Sequence, residues 1–202
     1  MNIRRLTEED YHVSTWSGGE TRELVLSPAS GDYNNRQFDY RLSSATVELN
    51  ESNFSDLTGF NRDIMILEGN VTLFHDEPTG QRVVELGPLE QDSFQGKNPT
   101  KSIGTCVDFN LMYQEGYEGS LEVLTQVLEQ QLEPNQDYLF YSLEDFIDVS
   151  VCQHGKNSSY KLTKGDSLYL SELSEPVTLT LAPNMTSIHK PLAIKASIRL
   201  KN

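Results

Sequence analysis

Apolar positions along this chain recur mainly two residues apart, in short runs broken by Gly, Pro, Asn and Asp. A period of two sends alternate side chains to opposite faces of an extended backbone, and frequent turn formers end each run early, so the pattern predicts many short strands. Windows with helical spacing are scarce. The predicted strands fall at 21–28, 38–49, 63–69, 71–76, 82–87, 105–113, 120–129, 137–143, 147–152, 160–172, 176–182 and 191–200. Leu143 to Val149 reads either as a short helical turn or as another strand. Strands this numerous and evenly spaced predict an all-β fold, a sandwich or a barrel.

Two passages echo one another. RVVELGPLEQDSFQG (Arg82 to Gly96) and SYKLTKGDSLYLSE (Ser159 to Glu172) each run through a strand, a turn with an Asp-Ser pair and an aromatic-containing strand. The echo points to two similar β modules divided near the Gly-rich, acidic stretch Gln114 to Ser120, with a first module over 1–114 and a second over 115–202.

Charge narrows the partners. Thirty acidic against sixteen basic residues give a formal charge of -14, and the densest basic pair is Arg4-Arg5. Phosphate backbones and anionic membranes are repelled by such a field, so neither nucleic acid nor a membrane surface is an expected partner. A small anion would have to be held by locally placed arginines. No run approaches the roughly 20 apolar residues of a spanning helix, and without an N-terminal apolar h-region secretion is not expected. Cys106 and Cys152 form neither a disulfide framework nor a zinc pattern, so a reduced, cytoplasmic protein is expected. With secretion not expected, the glycosylation-like triplets at Asn157 and Asn184 carry no weight.

The chemistry-bearing residues are few. His12, His75, His154 and His189 are scattered without metal-ligand spacing, so neither a metal nor a cofactor is expected. No nucleophile elbow, phosphate loop or dinucleotide fingerprint occurs. Arginines within strands say more. Arg41 shares a face with Ser43, Ala45 and Val47, Arg62 with Ile64 and Ile66, and Arg22 with Leu24 and Leu26. Each alone could reach water or pair with Glu23 or Asp63. The three together point to a shared polar site at a barrel mouth. Cys106, Asp108, Asn110 and Met112 alternate onto one face of their strand, so Asp108 and Asn110 must find hydrogen-bond partners if that face is covered. The single tryptophan, Trp16, precedes Ser17-Gly18-Gly19, a turn that either caps a core or folds over a ligand beside Thr21 and Arg22.

WSGGETREL, FDYRLSSATVE, GFNRDIMILEG, Phe94 of DSFQG and the VDFNLM strand, in this order, resemble the HutD/Ves family of bacterial proteins over roughly Trp16 to Met112. The resemblance implies a bicupin-like pair of β-barrel modules, often a homodimer, without the usual cupin metal histidines. It further implies a pocket arginine at Arg62 and the binding of a small carboxylate or formyl-bearing metabolite of histidine utilisation, such as urocanate or a formylated glutamate. No established reaction comes with it, so no catalytic residue is carried over.

Three readings follow for function. In the first, the N-terminal module binds a small metabolite through Arg62, with Arg41, Ser43 and Asn110 as neighbours. In the second, it is a metal-independent isomerase or lyase with Asp108 or Glu23 as base. In the third, the pocket is vestigial and the molecule acts through protein contacts.

Overall fold

The computed structural model describes residues 1–126, 128–183 and 190–201. His189 and the Asn184 triplet lie outside the described residues. Among the described residues all regular structure is β apart from one short turn of 3-10 helix at Glu8–Asp10. The chain forms two compact units, Tyr11–Tyr117 and a second built from Met1–Asp10 with Glu118–Asn202.

The first unit contains β2 to β11, after a β1 (Asn2–Leu6) that belongs elsewhere. In order these are β2 (His12–Trp16), β3 (Gly19–Ser27), β4 (Tyr40–Val47), β5 (Glu51–Asn53), β6 (Phe60–Gly69), β7 (Val71–Glu77), β8 (Gly80–Leu86), β9 (Gln91–Gln95), β10 (Thr100–Ile103) and β11 (Cys106–Gln114). They form a six-stranded sheet, β2-β3-β4-β11-β6-β9, and a four-stranded sheet, β5-β10-β7-β8, with antiparallel neighbours throughout. Ile64 and Ile66 of the larger sheet pack with Val71, Leu73 and Leu86 of the smaller one, so the two sheets share an apolar interior.

The second unit contains β12 (Tyr117–Leu124), β13 (Leu128–Leu132), β14 (Asp137–Ser142), β15 (Ile147–Gln153), β16 (Lys156–Leu162), β17 (Ser167–Ser171), β18 (Val177–Pro183) and β19 (Ala193–Leu200). Its sheets run β1-β17-β14-β19-β12 and β13-β18-β15-β16. Its interior is filled by one cluster that includes Tyr138, Phe140, Leu168, Leu170, Leu179 and Leu181.

The two units repeat one topology. The order β4-β11-β6-β9 matches β12-β19-β14-β17, and β5-β10-β7-β8 matches β13-β18-β15-β16. The sequence echo falls on the equivalent pairs β8/β9 and β16/β17, where the chain leaves one sheet and enters the other. Among the described residues no ladder joins the two sheets of a unit, so each is a pair of facing sheets, the sandwich form of the all-β fold expected.

The structure differs from the expected boundaries in ways that have local causes. Met1–Asp10 lie with the second unit because β1 pairs with β17 from Asn2↔Ser171 to Leu6↔Ser167. Arg5 also reaches Asp166 at 2.8 Å, while that carboxylate takes the Thr163 amide and hydroxyl, each at 3.0 Å. The same Asp166-centred turn separates β16 from β17 within the run 160–172, at the Asp-Ser turn that the echo placed there. The strand expected over 120–129 is likewise two, β12 and β13, in different sheets. The ambiguous segment Leu143 to Val149 is a bend followed by β15.

Candidate functional site

A cavity of about 370 Å³ lies between the two sheets of the Tyr11–Tyr117 unit. Its floor is set by strand register. Arg41, Met112 and Arg62 form one row across β4, β11 and β6, then Ser43, Asn110 and Ile64, then Ala45, Asp108 and Ile66. Alternation along each strand turns all of these toward the facing sheet. Arg41 and Arg62 thus stand two strands apart, roughly 9.5 Å between backbones.

The two arginines differ in what they hold. Arg41 is buried and ion-paired: Nε donates to Glu23 Oε2 at 2.7 Å, Nη1 to Ser43 Oγ at 3.2 Å, and its guanidinium lies 4.1 Å from the centre of the Tyr33 ring. Arg62, only 5% exposed, has no ion pair among the described residues. Its guanidinium lies over Phe54 at 4.5 Å and near Phe94 at 5.5 Å, Nη2 makes one long contact with Asn110 Oδ1 at 3.4 Å, and Nε has no partner. Burial depresses its pKa to about 10, which leaves it charged near neutrality. Pairing with Asp63 does not occur, because successive strand residues face opposite ways and Asp63 bonds to Ser93 and Tyr113.

Asp108 is the second unusual group. It is buried, it receives the Ala45 amide at 3.3 Å and the Asn110 side-chain amide, both at Oδ1, and it has no ion pair among the described residues. Burial pushes its carboxyl up to about 7, with Arg62 opposing the shift. Cys106, also on the wall, is pushed up to about 12, so it is a neutral thiol and a poor nucleophile.

Arg62, Arg41, Ser43, Trp16, Thr21, Asp108, Asn110 and Met112 all line the cavity. Four other residues singled out from the sequence do not. Arg22 is turned outward and bonds to Glu20 at 3.1 Å. A bulge between Glu23 and Val25 reverses the alternation, so Leu26 stands opposite Arg41 while Arg22 stands opposite Ser44, and the shared face expected for Arg22 and Leu26 does not exist. Phe94 sits behind Arg62 as a ring support. Gly18 lies beneath the Trp16 indole, where a Cβ would come within 2.0 Å of the ring. Gly19 has φ +148°, and its Cβ would meet Thr46 O at 1.8 Å. Trp16 itself is 42% exposed, which places it at the mouth of the cavity.

The facing wall was not found from sequence. Ser52 on β5 lines the cavity, and its buried hydroxyl has no partner, so it and Arg62 Nε are two orphaned donors on opposite walls. A three-residue strand carries too few positions for its period to be read. Ser52→Ala should leave the melting temperature nearly unchanged and weaken ligand binding by about 1 kcal/mol, measured by paired melts and titrations.

Metal-ligand sets of three or more His, Cys, Asp or Glu do not occur among the described residues. His75 is enclosed, with Nδ1 2.9 Å from Thr100 Oγ1 and Nε2 3.0 Å from Asp92 Oδ2. No helix among the described residues is long and apolar enough to cross a membrane.

The HutD family model matches residues 8–187. The chain belongs to the HutD family. HutD from Pseudomonas fluorescens SBW25, solved in a formate condition, superposes with a TM-score of 0.77 at 23% identity, and both chains are covered over 100% of their length. The conserved protein of unknown function PA5104 from Pseudomonas aeruginosa PAO1 gives 0.79 at 24%, again over 100% of both chains. The oxalate decarboxylase of Lactobacillus farciminis, in its formate complex, gives 0.65 at 11%, covering 100% of this chain and 86% of its own. No curated protein matches the sequence. These likenesses establish a shared all-β fold, cupin-like in the case of the decarboxylase.

Proposed function

We propose that this HutD-family protein is a non-catalytic, metal-independent binder of a small carboxylate- or formyl-bearing metabolite, held on Arg62. Its two units act as cupin-type modules, of which only the Tyr11–Tyr117 unit carries the ligand. The carrying observation is Arg62: a buried guanidinium with an unpartnered Nε, facing a cavity of about 370 Å³. Leaving such donors unsatisfied is costly, and a carboxylate accepting from Nε and Nη2 together would satisfy both with charge-assisted bonds. The cavity volume suits a molecule of metabolite size. In this reading the protein is cytoplasmic and senses or tempers histidine catabolism, with urocanate or formylglutamate as ligand.

Asp108 favours a second reading. A buried carboxyl with a pKa near 7 is suited to accept and return a proton, so a metal-independent isomerase acting on the same carboxylate would use it as base. Incubating purified protein with urocanate and with formylglutamate decides between the two. Saturable thermal stabilisation without turnover supports binding; product formation that is lost in Asp108→Asn supports catalysis. Absence of both for urocanate, formylglutamate and formate would contradict each reading.

A further inference from the structure

We propose that the cavity takes up its carboxylate together with one proton carried by Asp108, so that the ligand lies between the Arg62 guanidinium and a neutral Asp108 carboxyl. This rests on the binding role of Arg62 proposed above. The geometry is that of a site with one cation available and one carboxylate already in it. Both side-chain hydrogen bonds to Asp108 arrive at Oδ1, from the Ala45 amide and from Asn110, and its Oδ2 has no hydrogen bond among the described residues. The ionisable groups that line the space around it are few. β6 brings Arg62, and β4 brings Arg41, already committed to Glu23 and Ser43. Cys106 lies on the strand of Asp108, and Tyr33 comes from the segment between β3 and β4. β5, β7 and β10 of the facing sheet contribute no ionisable side chain to the cavity.

With Asp108 ionised, an incoming carboxylate would be the second negative charge beside a single uncommitted guanidinium. Two carboxylates sharing a buried site do not both ionise at small cost. A proton on Asp108 removes the repulsion and supplies an O–H donor from Oδ2 to one ligand oxygen, while Arg62 donates to the other. The free carboxyl already lies near neutrality, raised to about 7, so the extra proton is available at moderate pH. The sign follows from linkage. Binding raises the affinity of Asp108 for its proton, so ligand affinity is flat below the free pKa and falls about tenfold per pH unit above it.

The opposite arrangement would be a zwitterion whose ammonium group faces an ionised Asp108. Acetate and glycine separate the two, because they share a carboxylate and differ by the ammonium. Calorimetric titration of the full chain in buffers of different ionisation enthalpy reads the proton count directly. Acetate should bind with nearly no proton uptake at about pH 5.5, rising toward one proton at about pH 8.5, with a loss of about tenfold in affinity over the last pH unit. Asp108→Asn should abolish both the uptake and the pH dependence, and should hold acetate at high pH as tightly as the wild type does at low pH. Acetate binding that is pH-independent, takes up no proton and is lost in Arg62→Met would overturn this inference and leave the Arg62 reading intact. Glycine bound more tightly than acetate without uptake would make Asp108 an ammonium acceptor and overturn it equally. Failure of the wild type to bind any carboxylate would overturn both.

Discussion

Arg62→Met should abolish carboxylate binding and at the same time raise the melting temperature. The two effects share one cause. In the folded protein the guanidinium has lost its water and has no ion pair among the described residues; one long contact to Asn110, two aromatic faces and the Coulombic pull of Asp108 are its return. Arg62 has no such ion pair to lose, so an apolar side chain of similar length should relieve the desolvation cost of the charge and stabilise the fold by about 1–3 kcal/mol. The methionine thioether still packs on Phe54 and Phe94. Binding loses the two-point contact, and truncating one side of a buried charge pair costs roughly 2–5 kcal/mol. Arg62→Lys should also bind poorly, since an ammonium cannot reproduce the planar fork. If Arg62 serves the fold instead, Arg62→Met should melt lower than wild type. Thermal melts of the three proteins, with and without ligand, separate these outcomes.

Gly19→Ala should be the more damaging of the two glycine changes in the Trp16 turn, with a loss of stability on the order of 3 kcal/mol. The added methyl would stand 1.8 Å from Thr46 O, a backbone atom held in the β3–β4 ladder, at a φ of +148° that side chains rarely adopt. Gly18→Ala collides with the Trp16 ring at 2.0 Å, but that ring is a partly exposed side chain able to move aside. Its stability should therefore change by under about 1 kcal/mol, while the displaced indole reshapes the cavity mouth and alters ligand affinity. Denaturant midpoints and ligand titrations of both variants test this division. Similar losses of stability in the two would return the whole turn to a structural role.

Much of the cavity lining was legible because side chains alternate along a regular strand. The faces Arg41-Ser43-Ala45-Val47 and Cys106-Asp108-Asn110-Met112 follow from a period of two, and both line the cavity as read. Where a bulge breaks the period, the reading fails, as at Arg22 and Leu26. Sheet assignment was less accessible. The run expected over 120–129 is divided between two sheets, and the pairing of β1 with the second unit joins residues far apart in sequence. Tyr33 and Ser52 come from a loop and from a three-residue strand, and only folding brings them to the cavity. The unequal state of the two arginines is likewise invisible in sequence. It depends on Glu23 reaching Arg41 across one ladder while Asp63 turns away from Arg62.

The most direct test of the account is the Nε–H resonance of Arg62 in a proton–nitrogen correlation spectrum, assigned by its loss in Arg62→Met. Urocanate or formylglutamate, added to saturation, should move this proton strongly downfield as Nε gains the acceptor it lacks, with the same saturation curve as the thermal stabilisation. A ligand that stabilises the protein and leaves the Arg62 Nε–H resonance unmoved would contradict it.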